Sequence, residues 1–168
     1  MSHPHTYDKL DLLQQAMMGD ERMRKAELLD ELRAEIGVVA DRLEEDLWEL
    51  YRFVIRTLYE KITVYQYVGI YLCKEAQFEN LYHEGFSSLP PVVRFGEGFL
   101  SLAAARGGMV REQIGSRTEV YVPFYRGHHL IGQLVVISDP YDGIDEEDIA
   151  LFCELASLFE SKIEERSS

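Results

Sequence analysis

Between Thr63 and Cys73 the chain changes period, and that switch constrains its fold more than any other feature. Upstream, apolar residues recur at helical spacings of three and four, whereas across Thr63–Cys73 β-branched and aromatic residues alternate. The two alternating sets differ in kind: Val64, Val68, Ile70 and Leu72 on one side, Tyr65, Tyr67, Tyr71 and Cys73 on the other. Such a strand packs its aliphatic side on helices and turns its tyrosines toward somewhere wetter, because a buried Tyr hydroxyl requires a partner. A pocket on the tyrosine side is the expectation.

The flanks are helical. A polar tail through His5 precedes a helix expected near Tyr7–Met18, with Gly19-Asp20 as a break. Leu29, Leu32, Ile36, Val39 and Leu43 then form a heptad-like stripe, which packs either on the chain's own core or on a second copy. Past the acidic junction Glu44-Glu45-Asp46, Leu47, Leu50, Tyr51, Val54 and Leu58 mark another helix. At the far end, acidic residues across Asp142–Glu147 cap a helix carrying Ile149, Phe152, Ala156, Phe159 and Ile163. Leu151, Leu155 and Leu158 widen its apolar face, so it needs a second packing partner, the front helix or another subunit.

Between the helical ends, Phe78–Gly85 pairs with the first strand, Pro90-Pro91 turns the chain, and Val92–Gly98 leads to a small-residue helix near Phe99–Arg106. Gly107-Gly108 ends that helix, Met109–Glu112 is a short strand, and Glu119–Arg126 with His129–Ser138 forms a hairpin turning at Gly127-His128. Gly96-Glu97-Gly98 matches no phosphate-loop pattern: no Lys-Ser/Thr follows, and Ser101 stands at the third glycine position.

Charge excludes two partner classes. With 17 Lys and Arg against 30 Asp and Glu the net charge is −13, which repels nucleic-acid backbones and anionic lipid surfaces. No window approaches the roughly 18 apolar residues that a membrane span requires, and a cytoplasmic location is expected. Cys73 and Cys153 are expected as buried core thiols, and none of the five histidines has metal-ligand spacing. Glu119 stands out because it opens an otherwise apolar strand and shares parity with Tyr121, Pro123 and Tyr125; a strand-end carboxylate in water and a pocket carboxylate are both open readings.

The segments Tyr67-Val68-Gly69-Ile70-Tyr71-Leu72, Val93-Arg94-Phe95-Gly96-Glu97-Gly98, Glu119-Val120-Tyr121-Val122-Pro123-Phe124 and Leu130-Ile131-Gly132-Gln133-Leu134-Val135-Val136, in that order, resemble a GAF domain over Leu47–Lys162. Within that fold the pattern is similar to the free methionine-R-sulfoxide reductases. Leu100 stands where the resemblance places a cysteine, the loop for the other two redox cysteines is cut to Gln113–Thr118, and Val135 and Ile137 replace two pocket aspartates. Reduction of a sulfoxide by thiols needs an attacking and a resolving sulfur, so the chain is expected to be no enzyme.

The resemblance implies an α+β, GAF/PAS-like architecture: a central antiparallel sheet with N- and C-terminal helices on one face and a ligand pocket on the other. The expected division is a tail and short helix over 1–21, a helical segment over 22–46 and the GAF domain over 47–166. The pocket is expected to be lined by Tyr67, Tyr71, Glu119, Tyr121, Val135 and Ile137 and roofed by Phe95 and Leu100. Function is expected to be sensing of an unidentified small molecule, neutral or cationic, in a regulatory homodimer joined through the terminal helices. The alternative is an interaction module whose pocket is filled by its own side chains.

Overall fold

The computed structural model describes residues 4–43, 46–140 and 143–167. Ten elements follow one another: α1 (Pro4–Arg42), α2 (Leu47–Lys61), β1 (Tyr65–Lys74), β2 (Gln77–Gly85), β3 (Val92–Arg94), α3 (Gly98–Arg106), β4 (Val110–Ile114), β5 (Arg117–Arg126), β6 (His129–Ser138) and α4 (Glu146–Ser167). The strands form one six-stranded sheet in the order β3-β2-β1-β6-β5-β4, antiparallel throughout. This is the expected α+β architecture, with α1, α2 and α4 on one side and α3 on the other.

Local chemistry explains the element ends. Asp46 caps α2 by accepting the Glu49 amide at 3.1 Å. At α4, Asp145 accepts the amides of Glu147 at 2.9 Å and Asp148 at 3.2 Å, while Asp148 accepts the Asp145 amide at 2.8 Å. That reciprocal pair is a capping box built from two aspartates. Gly107, with φ +69°, closes α3, and the β5–β6 hairpin turns through Gly127 and His128 between Arg126 and His129.

Three sequence expectations change. The break at Gly19-Asp20 is absent: α1 is one helix of 39 residues that includes His5 and runs through Gly19. A helical glycine costs about 1 kcal/mol, too little to interrupt so long a helix. Glu44, Glu45, Asp142 and His3 lie outside the described residues.

The second change concerns Tyr65, which joins the core on the helix side instead of the tyrosine face, because an irregularity in the β1–β6 register falls between Tyr65 and Tyr67. Its hydroxyl bonds the Asp148 carboxylate. Third, Cys73 and Cys153 are only partly buried, each at the margin of a different cluster.

The heptad-like stripe meets its own chain. Leu29, Leu32, Ile36 and Ala40 are buried with Leu50, Val54, Phe152 and Phe159, so α1 covers part of the wide apolar face of α4. Tyr51, Phe124 and Phe159 form the aromatic centre of that core, with ring centroids 4.9–5.8 Å apart. Lys25 adds the polar anchor: its Nζ lies 2.6 Å from Asp148, which is fully buried, and donates to the Gly143 carbonyl at 2.8 Å. No helix among the described residues is long and apolar enough to cross a membrane.

Candidate functional site

Strand register assembles the face beneath α3 in three rows. Tyr67 and Glu119 flank Ile137, Gly69 and Tyr121 flank Val135, and Tyr71 and Pro123 flank Gln133. Gly69 is required in the middle row, since a Cβ there would lie 2.6 Å from the Tyr67 hydroxyl oxygen. The glycine lets the Tyr67 ring lie down across the sheet.

Tyr67, Tyr71, Tyr121, Val135, Ile137 and Leu100 form one buried cluster with Phe78, Val93, Ala103 and Val110. The tyrosine face is therefore dry, contrary to the expectation of a wetter environment. Its hydroxyls are satisfied within the protein: Tyr71 donates to the Pro90 carbonyl at 2.6 Å, Tyr67 accepts from Asn80 at 3.2 Å, and Tyr121 donates to Glu119 at 2.5 Å. Burial pushes the Tyr67 and Tyr121 phenols far above their ordinary value, and for Tyr121 the Glu119 carboxylate adds to the effect.

Glu119 is only 6% exposed, which removes the reading of a strand-end carboxylate in water. Arg117 approaches its other oxygen at 3.4 Å. Phe95 is displaced from its expected place in the roof: it is 47% exposed and packs at the rim on Phe78, with centroids 4.8 Å apart. The roof is α3 itself, through Leu100 and Phe99, whose ring lies 5.8 Å from that of Tyr121.

Gln133 escaped the sequence reading. It is fully buried, its Nε2 donates to the Leu100 carbonyl at 2.6 Å, and its Oε1 has no hydrogen-bond partner. Its parity with Val135 and Ile137 was the available signal, obscured because the flanking residues read as a purely aliphatic strand. Cys73 also packs against this cluster, its thiol pushed up to about 11 by burial. His83 stacks on Tyr67 with centroids 5.4 Å apart, and no group of three or more His, Cys, Asp or Glu among the described residues is placed to hold a metal ion.

A curled antiparallel sheet carrying terminal helices on one face and a short helix over a side-chain cluster on the other defines a GAF fold. Solved structures agree. The chain is similar to the free methionine-R-sulfoxide reductase of Neisseria meningitidis in complex with its substrate, at 25% identity over 85% of this chain and 92% of that one, TM-score 0.75. It is also similar to the type II free methionine-R-sulfoxide reductase of Thermoplasma acidophilum (23% identity, 73% and 95% covered, TM-score 0.63). A third is the GAF domain of a phosphoenolpyruvate-protein phosphotransferase from Coxiella burnetii (16% identity, 82% and 91% covered, TM-score 0.64). No family model matches the sequence, and no curated protein matches it.

This chain is a GAF-fold protein that resembles the free methionine-R-sulfoxide reductases. The expectation that it is no enzyme is corrected by the same comparison, because the matched reductases are enzymes. Substitution at Leu100, Val135 and Ile137 changes three positions of a face that still carries a buried carboxylate at Glu119 and a thiol at Cys73.

Proposed function

We propose that this chain is a small-molecule-sensing GAF domain of a cytoplasmic regulatory protein, with the ligand held between the central strands and α3. Tyr67, Tyr71, Glu119, Tyr121, Val135 and Ile137 form the floor, Leu100 the roof and Phe95 the rim. The supporting observation is the pair of polar side chains in an otherwise apolar cluster, Glu119 and Gln133. A buried acceptor without a donor costs about 1–3 kcal/mol, and a ligand N–H or O–H offsets that cost. An apolar side chain at Gln133 would serve a purely structural core better.

Admission of a ligand requires α3 to lift, and the Gln133 bond to the Leu100 carbonyl is the tie that must be released. Movement of α3 would reach the helix face through β5 and β6, where α1 and α4 form the output. We further propose that α1 joins two copies, supported by Leu12 and Leu13, which are 63% and 61% exposed near its start. The closed packing of the tyrosines favours the second reading, an interaction module whose pocket is filled by its own side chains.

The Gln133→Leu variant separates them. Under the sensing reading, small molecule released on denaturing the purified protein falls at least about tenfold, and the thermal midpoint falls with it because bound ligand stabilises the folded state. Unchanged or higher stability with no change in released compound supports the filled pocket instead, since the substitution then only removes an orphan acceptor.

A further inference from the structure

We infer that a second site, for a small aromatic ammonium compound, lies at the end of the sheet where β1 begins and β2 and β6 finish. A groove of about 440 Å³ opens there, within the size range of ligand pockets. Its walls come from three separate stretches and share no residue with the cluster under α3. Tyr59 and Thr63 stand on and after α2, Tyr65 and Gln66 open β1, Phe86 follows β2, and Asp139 follows β6.

The lining specifies the ligand's chemistry. Phe86 is 83% exposed, the most exposed large apolar side chain among the described residues, and a ring left in water beside a groove gains by covering. Its backbone is held in place: the Phe86 amide donates to the Gln66 carbonyl at 3.1 Å, and a Cβ on the preceding Gly85, at φ +88°, would strike that same oxygen at 2.1 Å. Phe86 and Tyr59 thus offer aromatic surface to a flat ring or an organic cation.

The one charged side chain in the described lining is an acceptor. Asp139 brings a carboxylate, and the lining holds no Lys, Arg or His among the described residues. A positive charge on the ligand is matched by Asp139 and by the chain's net charge of −13. An anionic ligand meets the Asp139 carboxylate with no cation to offset it among the described lining residues. Tyr65 carries occupancy inward, because its hydroxyl bonds Asp148, the carboxylate that anchors Lys25 of α1.

The test is titration of tryptamine into the chain, followed by two-dimensional amide NMR, with indole-3-propionate as the anionic counterpart. Saturable shifts centred on Thr63, Gln66 and Phe86 are expected with tryptamine alone, weakened at least about tenfold by Asp139→Asn and by Phe86→Ala. Both side chains are exposed, and unchanged thermal midpoints would confirm that the variants fold. Equal binding of indole-3-propionate, absence of saturable shifts, or shifts centred on Tyr67 and Gln133 would each overturn the inference. The last outcome assigns the cation to the cluster under α3, so the two sites are distinguished by where the shifts fall.

Discussion

Raising the pH above 10 should unfold this protein in one cooperative step, with the tyrosinate absorbance of its buried tyrosines appearing together with loss of helix. Tyr51, Tyr65, Tyr67 and Tyr121 are each no more than 3% exposed, and burial is the first cause that raises all four phenols above their ordinary value of 10.0. The sign follows from linkage. A folded-state pKa above the unfolded one gives stability that is complete below pH 10 and is lost as the pH climbs toward the folded value, because only the unfolded chain ionises in that window.

Each such tyrosine removes about 1.4 kcal/mol per pH unit, so four together remove roughly 5–6 kcal/mol per unit. Domain stabilities are about 5–15 kcal/mol, which places unfolding within about one to three units above pH 10. Circular dichroism and near-ultraviolet absorbance, recorded across the same pH series, check this. Ionisation of all ten tyrosines with the helix signal intact would mean that the tyrosine face is open to water.

The second large effect is expected at the anchor of α1. Replacing Lys25 with Met leaves Asp148 ionised, fully buried and without its 2.6 Å partner, and losing one member of such a pair costs about 3–5 kcal/mol. For a chain of this size that lowers the thermal midpoint by roughly 6–20 °C. Burial first, and the neighbouring Asp145 second, already hold the Asp148 carboxyl above its usual range, with Lys25 and Tyr65 pulling it back.

Without Lys25 the carboxyl rises further, so the folded variant keeps its proton to higher pH. Its deficit is therefore smallest in acid and grows as the pH rises through the folded value. Adding Asp148→Asn should recover most of the loss, since no charge is then stranded. A single variant within about 0.5 kcal/mol of the parent at neutral pH would show that Lys25 does not secure the helix.

How much of this was legible depends on the range over which each feature is decided. Alternation in Thr63–Cys73 and His129–Ser138 and the acidic entry to α4 are local, and each predicted its element to within a few residues. The common face of Tyr67, Tyr71, Tyr121, Val135 and Ile137 followed from parity, because a regular antiparallel ladder preserves it. Tyr65 broke the rule where the β1–β6 register is irregular, and no residue near it announces that change.

Gly19 misled in the opposite direction, since a residue that disfavours helix need not end one when long helical flanks exist. Gln133 went unrecognised because its importance lies in a bond to Leu100, a residue 33 positions away. The groove at Phe86 could not be read at all: three distant stretches, Tyr59–Gln66, Gly85-Phe86 and Asp139, build it, and none carries a motif. The expectation of no enzyme rested on three substituted positions and one shortened loop, and the similarity to solved reductases overturns it.

The central claim is that a small molecule lies between α3 and the central strands, and a crystal structure of the protein as purified tests it most directly. The account predicts non-protein electron density beneath α3, within hydrogen-bonding distance of the Glu119 carboxylate or Gln133 Oε1, with the Gln133 bond to the Leu100 carbonyl lengthened or broken. Density showing α3 seated on Tyr67, Tyr71 and Tyr121, with Gln133 satisfied by protein or water and nothing else in the space, would contradict it.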